Sequence, residues 1–242
     1  MSVKVGSARI DENGKAHGGA AGDQTGKEVS TQSWYAHSKG WVLLRAKDAN
    51  VREKIASCME AACKNNHIGY DQYQRDTLYN EAKQYGFDVS KVTKDVETDC
   101  SALVRVCVNY AGITVGSFRT TKEASILMAT GAFDKYTDAA HCKKSNRLLR
   151  GDILVTATQG HTVVVLSNGT DAASEIVKAG KQVTITGNSV NIRLGNSTSF
   201  DVIACVNKGT TYEYVVTAEN GWNAVVVDDK VGWVSGKYSK ME

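Results

Sequence analysis

The chain has 242 residues, of which 42% are hydrophobic, and a formal net charge of +3. This length allows one large hydrophobic core and a second, smaller one. Charged residues of both signs are mixed along the chain, with no basic stripe between aromatic residues, so we expect no nucleic-acid partner. No segment has the apolar run of a signal peptide or a membrane span, so we expect a protein made in the cytoplasm that does not insert into a membrane.

The cysteine pattern argues against a metal site. The six cysteines form no CxxC pair and no Cys/His cluster at metal-ligand spacing, so we expect no zinc, no other cofactor and free thiols. Cys142 lies in the basic segment AHCKKSN and is predicted to be exposed, whereas Cys205 lies in the apolar run VIACV and is predicted to be buried.

Residues 1–47 read as a glycine-rich polar loop that runs into a strand. Apolar residues then recur at helical spacing from Val51 to Cys63, and Asn50 with Glu53 forms a capping pair. A second helix is predicted within YDQYQRDTLYNEAKQYG, where Asp71 would be the N-cap and Gly86 the end.

Two more helices and two strands follow. One helix begins at Cys100 and ends near Gly112, and the next covers about 121–128, with Thr120 and Glu123 as a capping box. The segment RGDILVTATQGHTVVVLSNG has two apolar runs around a glycine turn, which predicts an antiparallel pair. Residues 172–182 read as a linker, and the short β runs after it predict a small all-β barrel.

Cys100 follows an acidic run at a helix start. With Asp99 or Thr98 as the N-cap, unpaired backbone N–H groups and the helix dipole would favour a thiolate there. The N–H of Ser101 could then bind the oxyanion of a tetrahedral intermediate. Taken alone, a cysteine in this position is more often a buried apolar residue.

His161 is the best-placed base. It follows Gly160 at the mouth of an apolar strand, which puts it at the rim of the predicted sheet. An imidazole delivered there would form the partner that a nucleophilic thiol needs. Taken alone, such a histidine is more often a surface residue or a hydrogen-bonded core residue.

Three ordered motifs, TDCSALV, LLRGDILV and GHTVVVLSNG, resemble the NlpC-type cell-wall cysteine peptidases, whose relatives include the CHAP amidases. The resemblance covers residues 70–169. It implies an α+β fold of the papain-like type, with helices packed on an antiparallel sheet. It also implies Cys100 as the nucleophile and His161 as the general base.

The same resemblance implies a substrate-binding set of Tyr70, Arg75, Asp99 and Ser101, although Tyr70 and Arg75 equally suit an exposed polar helix start. The family orients its histidine with a third polar residue, and the expected position here holds Ala172 and Ala173. The orienting group is left open among Asn168, Asp171, Asp23 and Gln24.

The carboxy-terminal motifs NIRLGNS, NGW and GWVSGKY resemble bacterial Src-homology-3-like domains, which dock on peptidoglycan. Taken singly, Trp222 and Trp233 are somewhat more often core aromatic residues. We therefore expect a catalytic domain over 1–175, including the glycine-rich leader, and a wall-binding domain over 181–242.

Together these resemblances predict a monomeric phage endolysin that acts on bacterial peptidoglycan after synthesis in the host cytoplasm. It would be either an endopeptidase or an N-acetylmuramoyl-L-alanine amidase. Two alternatives stay open: a non-catalytic wall-binding protein with a vestigial cysteine cleft, and a cysteine acyltransferase or deamidase toxin.

Overall fold

The computed structural model describes residues 2–158, 160–172, 182–228 and 230–241. Helices and sheets are mixed, and the chain divides into two compact units, Met1–Ala172 and Ala173–Glu242. Most of the predicted linker falls on residues 173–181, which lie outside the described residues. None of the described helices has the length and apolar character needed to cross a membrane.

The first unit combines eight described strands with five α-helices. In chain order these are β1 (Lys4–Ala8), β2 (Val29–Ser33), β3 (Trp41–Ala46), α1 (Ala49–Ala62), β4 (Ile68–Tyr70), α2 (Thr77–Lys83), β5 (Val96–Thr98), α3 (Cys100–Tyr110), α4 (Thr120–Ala129), β6 (Phe133–Tyr136), α5 (Ala139–Cys142), β7 (Ile153–Thr156) and β8 (Thr162–Val165).

Six of these strands form an antiparallel sheet with the order β2-β1-β8-β7-β3-β6. The predicted pairing of β7 with β8 is confirmed, with Leu154 opposite Val163. The first strand was not predicted, and it lies inside the sheet, where Val5 pairs with Val165. β4 and β5 form a separate parallel pair.

The helix beginning at Cys100 is confirmed, and its apolar stripe enters the main core. Leu103, Val106 and Cys107 are fully buried there, and α3 packs against both α1 and β8. Because one face of α3 is fixed by this core, the first turn of the helix is held against the sheet.

Three predicted helix starts were wrong. α1 is capped by Asp48, whose carboxylate accepts from the N–H of Asn50, rather than by Asn50 itself. α2 begins only after Asp76, because Asp71 instead accepts from two N–H groups of a preceding turn. α4 follows Arg119 without a side-chain cap, and the supposed capping residue Glu123 is buried.

The second unit is all β among its described residues, apart from one short 3-10 helix. Its strands form one sheet with the order β11-β10-β14-β13-β12-β9-β15. The barrel and the Src-homology-3-like fold remain predictions. In chain order the strands are β9 (Gln182–Ile185), β10 (Val190–Arg193), β11 (Val202–Val206), β12 (Thr211–Thr217), β13 (Trp222–Val227), β14 (Lys230–Ser235) and β15 (Ser239–Met241).

The predicted exposure of two cysteines was wrong in both cases. Cys142 is buried, because it ends α5 next to a satellite core that contains Trp41 and Leu43. Cys205 is exposed, whereas its neighbours Ala204 and Val206 pack against the core of the second unit.

A buried ion pair ties β3 to the segment before β7. Nε and Nη2 of Arg45 donate to the two carboxylate oxygens of Asp152, at 2.8 and 2.6 Å. The N–H of Leu149 also donates to this carboxylate, which has no solvent exposure. The pair is therefore fully hydrogen-bonded and fixes the strand that leads to His161.

We expect Asp152→Asn to lower the free energy of unfolding by about 3–5 kcal/mol, because it leaves a buried guanidinium without its counter-charge. The matched control is Asp134→Asn, since Asp134 is half exposed and lies 3.8 Å from Lys47 Nζ. That change should lower stability by less than about 1 kcal/mol. Urea unfolding of both variants measures this, and equal losses would contradict it.

Candidate functional site

Asp99 is the N-cap of α3. This confirms one of the two residues that the sequence predicted for this position. Its backbone is extended, with φ −110° and ψ 176°, and its Oδ1 accepts from the N–H of Ala102 at 2.7 Å. The same oxygen accepts from Ser101 Oγ at 2.9 Å. Cys100 is therefore the first residue of the helix, where N–H groups have no partner within the helix.

Arg75 lies buried behind this helix start. Its Nε and Nη2 donate to the two carboxylate oxygens of Asp99, and Nη2 also donates to Ser101 Oγ at 2.9 Å and to the carbonyl of Phe118 at 2.7 Å. Arg75 and Asp99 are 7% and 4% exposed. The guanidinium thus engages protein groups that hold Cys100 in place.

Cys100 begins α3, which packs against β8. The backbone N–H groups of Thr162, the residue after His161, and of Ser101 lower the pKa of its thiol. The backbone of His161 is itself fixed, because its carbonyl accepts from the N–H of Thr156 at 2.9 Å. The structure therefore brings the cysteine to the strand that carries the histidine.

The turn before this strand requires glycine. Gly160 has a φ of 121°, in a region that residues with a Cβ rarely adopt. The Gly-His pair of the sequence motif thus has a backbone reason, since the turn places His161 directly at the strand start.

Burial dominates the ionisation of the thiol. It raises the pKa of Cys100 to about 12, with Asp99 and Glu123 raising it further, while the two backbone N–H donors lower it. The sequence analysis expected the helix start to lower this pKa. The N–H groups act in that direction, but loss of hydration outweighs them, so the free protein holds a neutral thiol.

The imidazole of His161 is neutral for the same reason. Burial lowers the pKa of the imidazole to about 4. His37, when protonated, and Arg9 lower this pKa further through their positive charge. Its Nε2 lies 3.5 Å from Ser7 Oγ, and its ring centroid is 6.5 Å from that of Trp41. Ser7 belongs to β1, the strand that the sequence analysis missed.

Four residues were left open as the group that orients His161, and the described contacts pair each of them elsewhere. Asn168 accepts from the N–H of Arg150 at 2.8 Å. Asp171 accepts from a side-chain amide. Asp23 and Gln24 form hydrogen bonds within their own loop.

Tyr70 ends β4 within electrostatic reach of the cysteine. Burial is the main cause that raises the pKa of its phenol to about 12, and the charge of Cys100 is a further one. Gln72 donates to the phenol oxygen at 3.0 Å. The substrate-binding role of Tyr70 stays a prediction.

A cavity of about 490 Å³ opens beside His161. Four of its five lining residues were missed, because they come from the amino-terminal hairpin that was read as a loop. Only the alternation in SARI, which puts Ser7 and Arg9 on one strand face, hinted at them. The lining residues are Arg9, Ile10, Gln32, Tyr35 and His161.

Glu123 lies near the candidate site, although the sequence predicted it as part of a helix capping box. It has no solvent exposure, and its Oε1 accepts from Thr162 Oγ1 at 2.7 Å. Its Oε2 has no hydrogen-bond partner among the described residues. Burial raises the pKa of this carboxyl to about 8, with Asp99 raising it and the Thr162 hydroxyl lowering it.

No group of three or more His, Cys, Asp or Glu side chains with metal-binding geometry occurs in the part of the chain that the structure describes.

Comparison with known proteins gives one family. The model of the endolysin-like domain matches residues 5–172, which spans the first unit from β1 to the end of its described residues. No curated protein matches the chain.

We expect Glu123→Gln to stabilise the protein increasingly as pH rises. The unfolded carboxyl loses its proton near pH 4.5 while the folded one keeps it to about 8, so wild-type stability falls between these values. Glutamine cannot ionise, so its advantage should grow by on the order of 3 kcal/mol from pH 5 to pH 8.

Urea unfolding at pH 5, 6.5 and 8 measures this difference. The half-buried Glu81 of α2 gives the control, Glu81→Gln, which should show no comparable trend. A Glu123→Gln advantage that stays constant with pH would contradict the expectation.

Proposed function

This chain belongs to the endolysin-like domain family, and from that premise we propose that it is a peptidoglycan hydrolase that cleaves an amide of the bacterial wall peptide through Cys100 and His161. The observation that supports the proposal is the packing of α3, which begins at Cys100, against β8, which begins directly after His161. Cys100 is the only thiol at the start of a described helix.

The reaction proposed is acyl transfer to the thiol. Cys100 Sγ attacks the amide carbonyl carbon, and its proton passes to His161. The tetrahedral intermediate collapses, the C–N bond breaks, and His161 returns the proton to the leaving amine. Water then attacks the thioester with His161 as base, releasing the carboxylic acid and restoring the thiol.

Cys100 and His161 are both neutral before substrate binds, and this determines how the attack on the amide begins. Because burial raises the pKa of Cys100 and lowers that of His161, a separated thiolate and imidazolium are disfavoured before substrate binds. Proton transfer therefore accompanies formation of the C–S bond. The N–H groups of Ser101 and Thr162 supply donors for the charge that develops at the carbonyl oxygen.

The remaining predicted site residues are assigned by their contacts. Asp99 caps the helix, and Arg75 fixes Asp99 and Ser101, so both act by positioning Cys100. Tyr70, whose phenol is buried and hydrogen-bonded by Gln72, would line the substrate side of the site, as the resemblance implies.

Docking on peptidoglycan is the role that we assign to the second unit. A cleft of about 640 Å³ there is lined by aromatic, cationic and amide side chains, which suit an extended polar polymer. Holding the wall near the catalytic unit raises the effective concentration of its amides. The lining includes Trp222, Tyr238, Arg193, Lys237, Asn188 and Asn191.

A non-catalytic wall-binding protein is the second candidate function. The burial of Cys100, which is 7% exposed, and the raised pKa of its thiol favour it. The two candidates differ in whether wall material is released when the thiol is removed.

We expect Cys100→Ala and His161→Ala to lower the release of dye-labelled fragments from purified walls by at least about 1,000-fold, because each removes a group that takes part in bond cleavage. Cys205→Ser is the control, since this thiol is exposed and lies in the second unit. Equal release by wild type and Cys100→Ala would end the hydrolase proposal.

The products of the same digestion identify the bond that is cleaved. Mass spectrometry of the products would find a new peptide amino terminus for an endopeptidase. It would find a free sugar lactyl carboxylate together with a free alanine amine for an N-acetylmuramoyl-L-alanine amidase.

We expect the acidic limb of kcat/KM to lie near pH 4 rather than at the ordinary histidine value of about 6.5. His161 must be neutral to accept a proton, and its lowered pKa keeps it neutral down to about pH 4. Activity should therefore be retained at pH 5 and lost as pH falls through 4. Initial rates on soluble muropeptides measure this, and a limb near 6.5 would contradict it.

A further inference from the structure

The cavity beside His161 contains a single permanent charge. Its lining combines the guanidinium of Arg9 with neutral polar groups from Gln32 and Tyr35 and an apolar wall from Ile10. None of the described residues that line it carries a carboxylate. A bound anion would therefore meet one cation and two neutral hydrogen-bonding groups, without a competing negative charge.

Arg9 differs from the buried arginines of this unit. Arg45 and Arg75 each have a carboxylate partner, Asp152 and Asp99 respectively. For the exposed guanidinium of Arg9, the described part of the chain provides neither an ion pair nor a side-chain hydrogen bond. Its binding capacity for an anion is thus available to a ligand.

The backbone fixes where this guanidinium begins. Arg9 directly follows β1, and its N–H donates to the carbonyl of Glu28 at 2.7 Å, which continues the pairing of β1 with β2. Continuation of the β1–β8 register would place Arg9 opposite His161, since Val5 faces Val165 and Gly6 faces Val164.

The reach of Arg9 covers both sides of the candidate reaction site. Its positive charge lowers the pKa of His161 and the pKa of the Tyr35 phenol. Cys100 raises the pKa of the same phenol. Arg9 and His161 line the same cavity, so a carboxylate held by Arg9 would share that cavity with the imidazole.

We infer that Arg9, with Gln32 and Tyr35, forms a subsite that binds a free carboxylate of the wall stem peptide next to the amide to be cleaved. This inference rests on the proposed function, and it names the substrate class as peptides with a free carboxylate rather than an amidated one. An Arg–carboxylate contact gives both charge recognition and orientation.

The experiment uses the full chain with Cys100→Ala, so that binding is measured without cleavage. The probes are soluble muropeptides released from purified walls by a muramidase, and the same muropeptides with their carboxylates converted to methyl amides. Calorimetric titration gives the Kd of each probe for Cys100→Ala alone and combined with Arg9→Gln, Arg9→Lys or the control Lys54→Gln.

We expect Arg9→Gln to weaken binding of the carboxylate probe roughly tenfold or more and to leave the amide probe unchanged. Arg9→Lys should recover part of the loss, and Lys54→Gln, on the exposed face of α1, should have no effect. Equal Kd changes for both probes, or none for either, would overturn the subsite.

The two proposals fail separately. Carboxylate-dependent binding through Arg9, in a chain whose wild type releases nothing from walls, supports the subsite and removes the hydrolase. Release from walls that depends on Cys100, with a Kd indifferent to the carboxylate, removes the subsite alone.

Discussion

The paired hydrogen bonds between Arg75 and Asp99 hold the start of α3, and the geometry around Cys100 depends on them. Asp99 caps the helix while the same guanidinium reaches Ser101 and a loop carbonyl. A helix end that would otherwise fray is thereby fixed from behind.

Local patterns predicted the parts of the site that are local in sequence. The apolar stripe of α3, its Asp99 cap, and the antiparallel pair around Gly160 follow from spacing and turn residues within about 20 positions. The cap positions at Asn50 and Asp71 failed, because several acidic or amide residues competed for each helix start and tertiary packing chose among them. The pairing of Cys100 with His161 rests on the family resemblance and stays a prediction, because single-segment patterns do not relate two residues that are distant in sequence.

Contributions from distant segments and from burial were beyond the reach of these patterns. β1 contains Gly6 and Ser7 and lies in a polar leader, so its place inside the sheet depends on partners that are far away in sequence. The direction of the Cys100 pKa likewise depends on how completely the chain covers the sulfur. Position at a helix start is visible in the sequence, whereas loss of hydration is a property of the assembled unit.

The central position of β1 has a consequence for assembly. Its neighbour β8 is among the last strands of the first unit to be synthesised. β1 is therefore made long before the strand with which it pairs. Such a non-local closure is slow, because nearly the whole unit forms the loop between the two strands. The sheet of the first unit is therefore incomplete until residue 165 has been synthesised, and a shorter fragment would lack the strand with which β1 pairs.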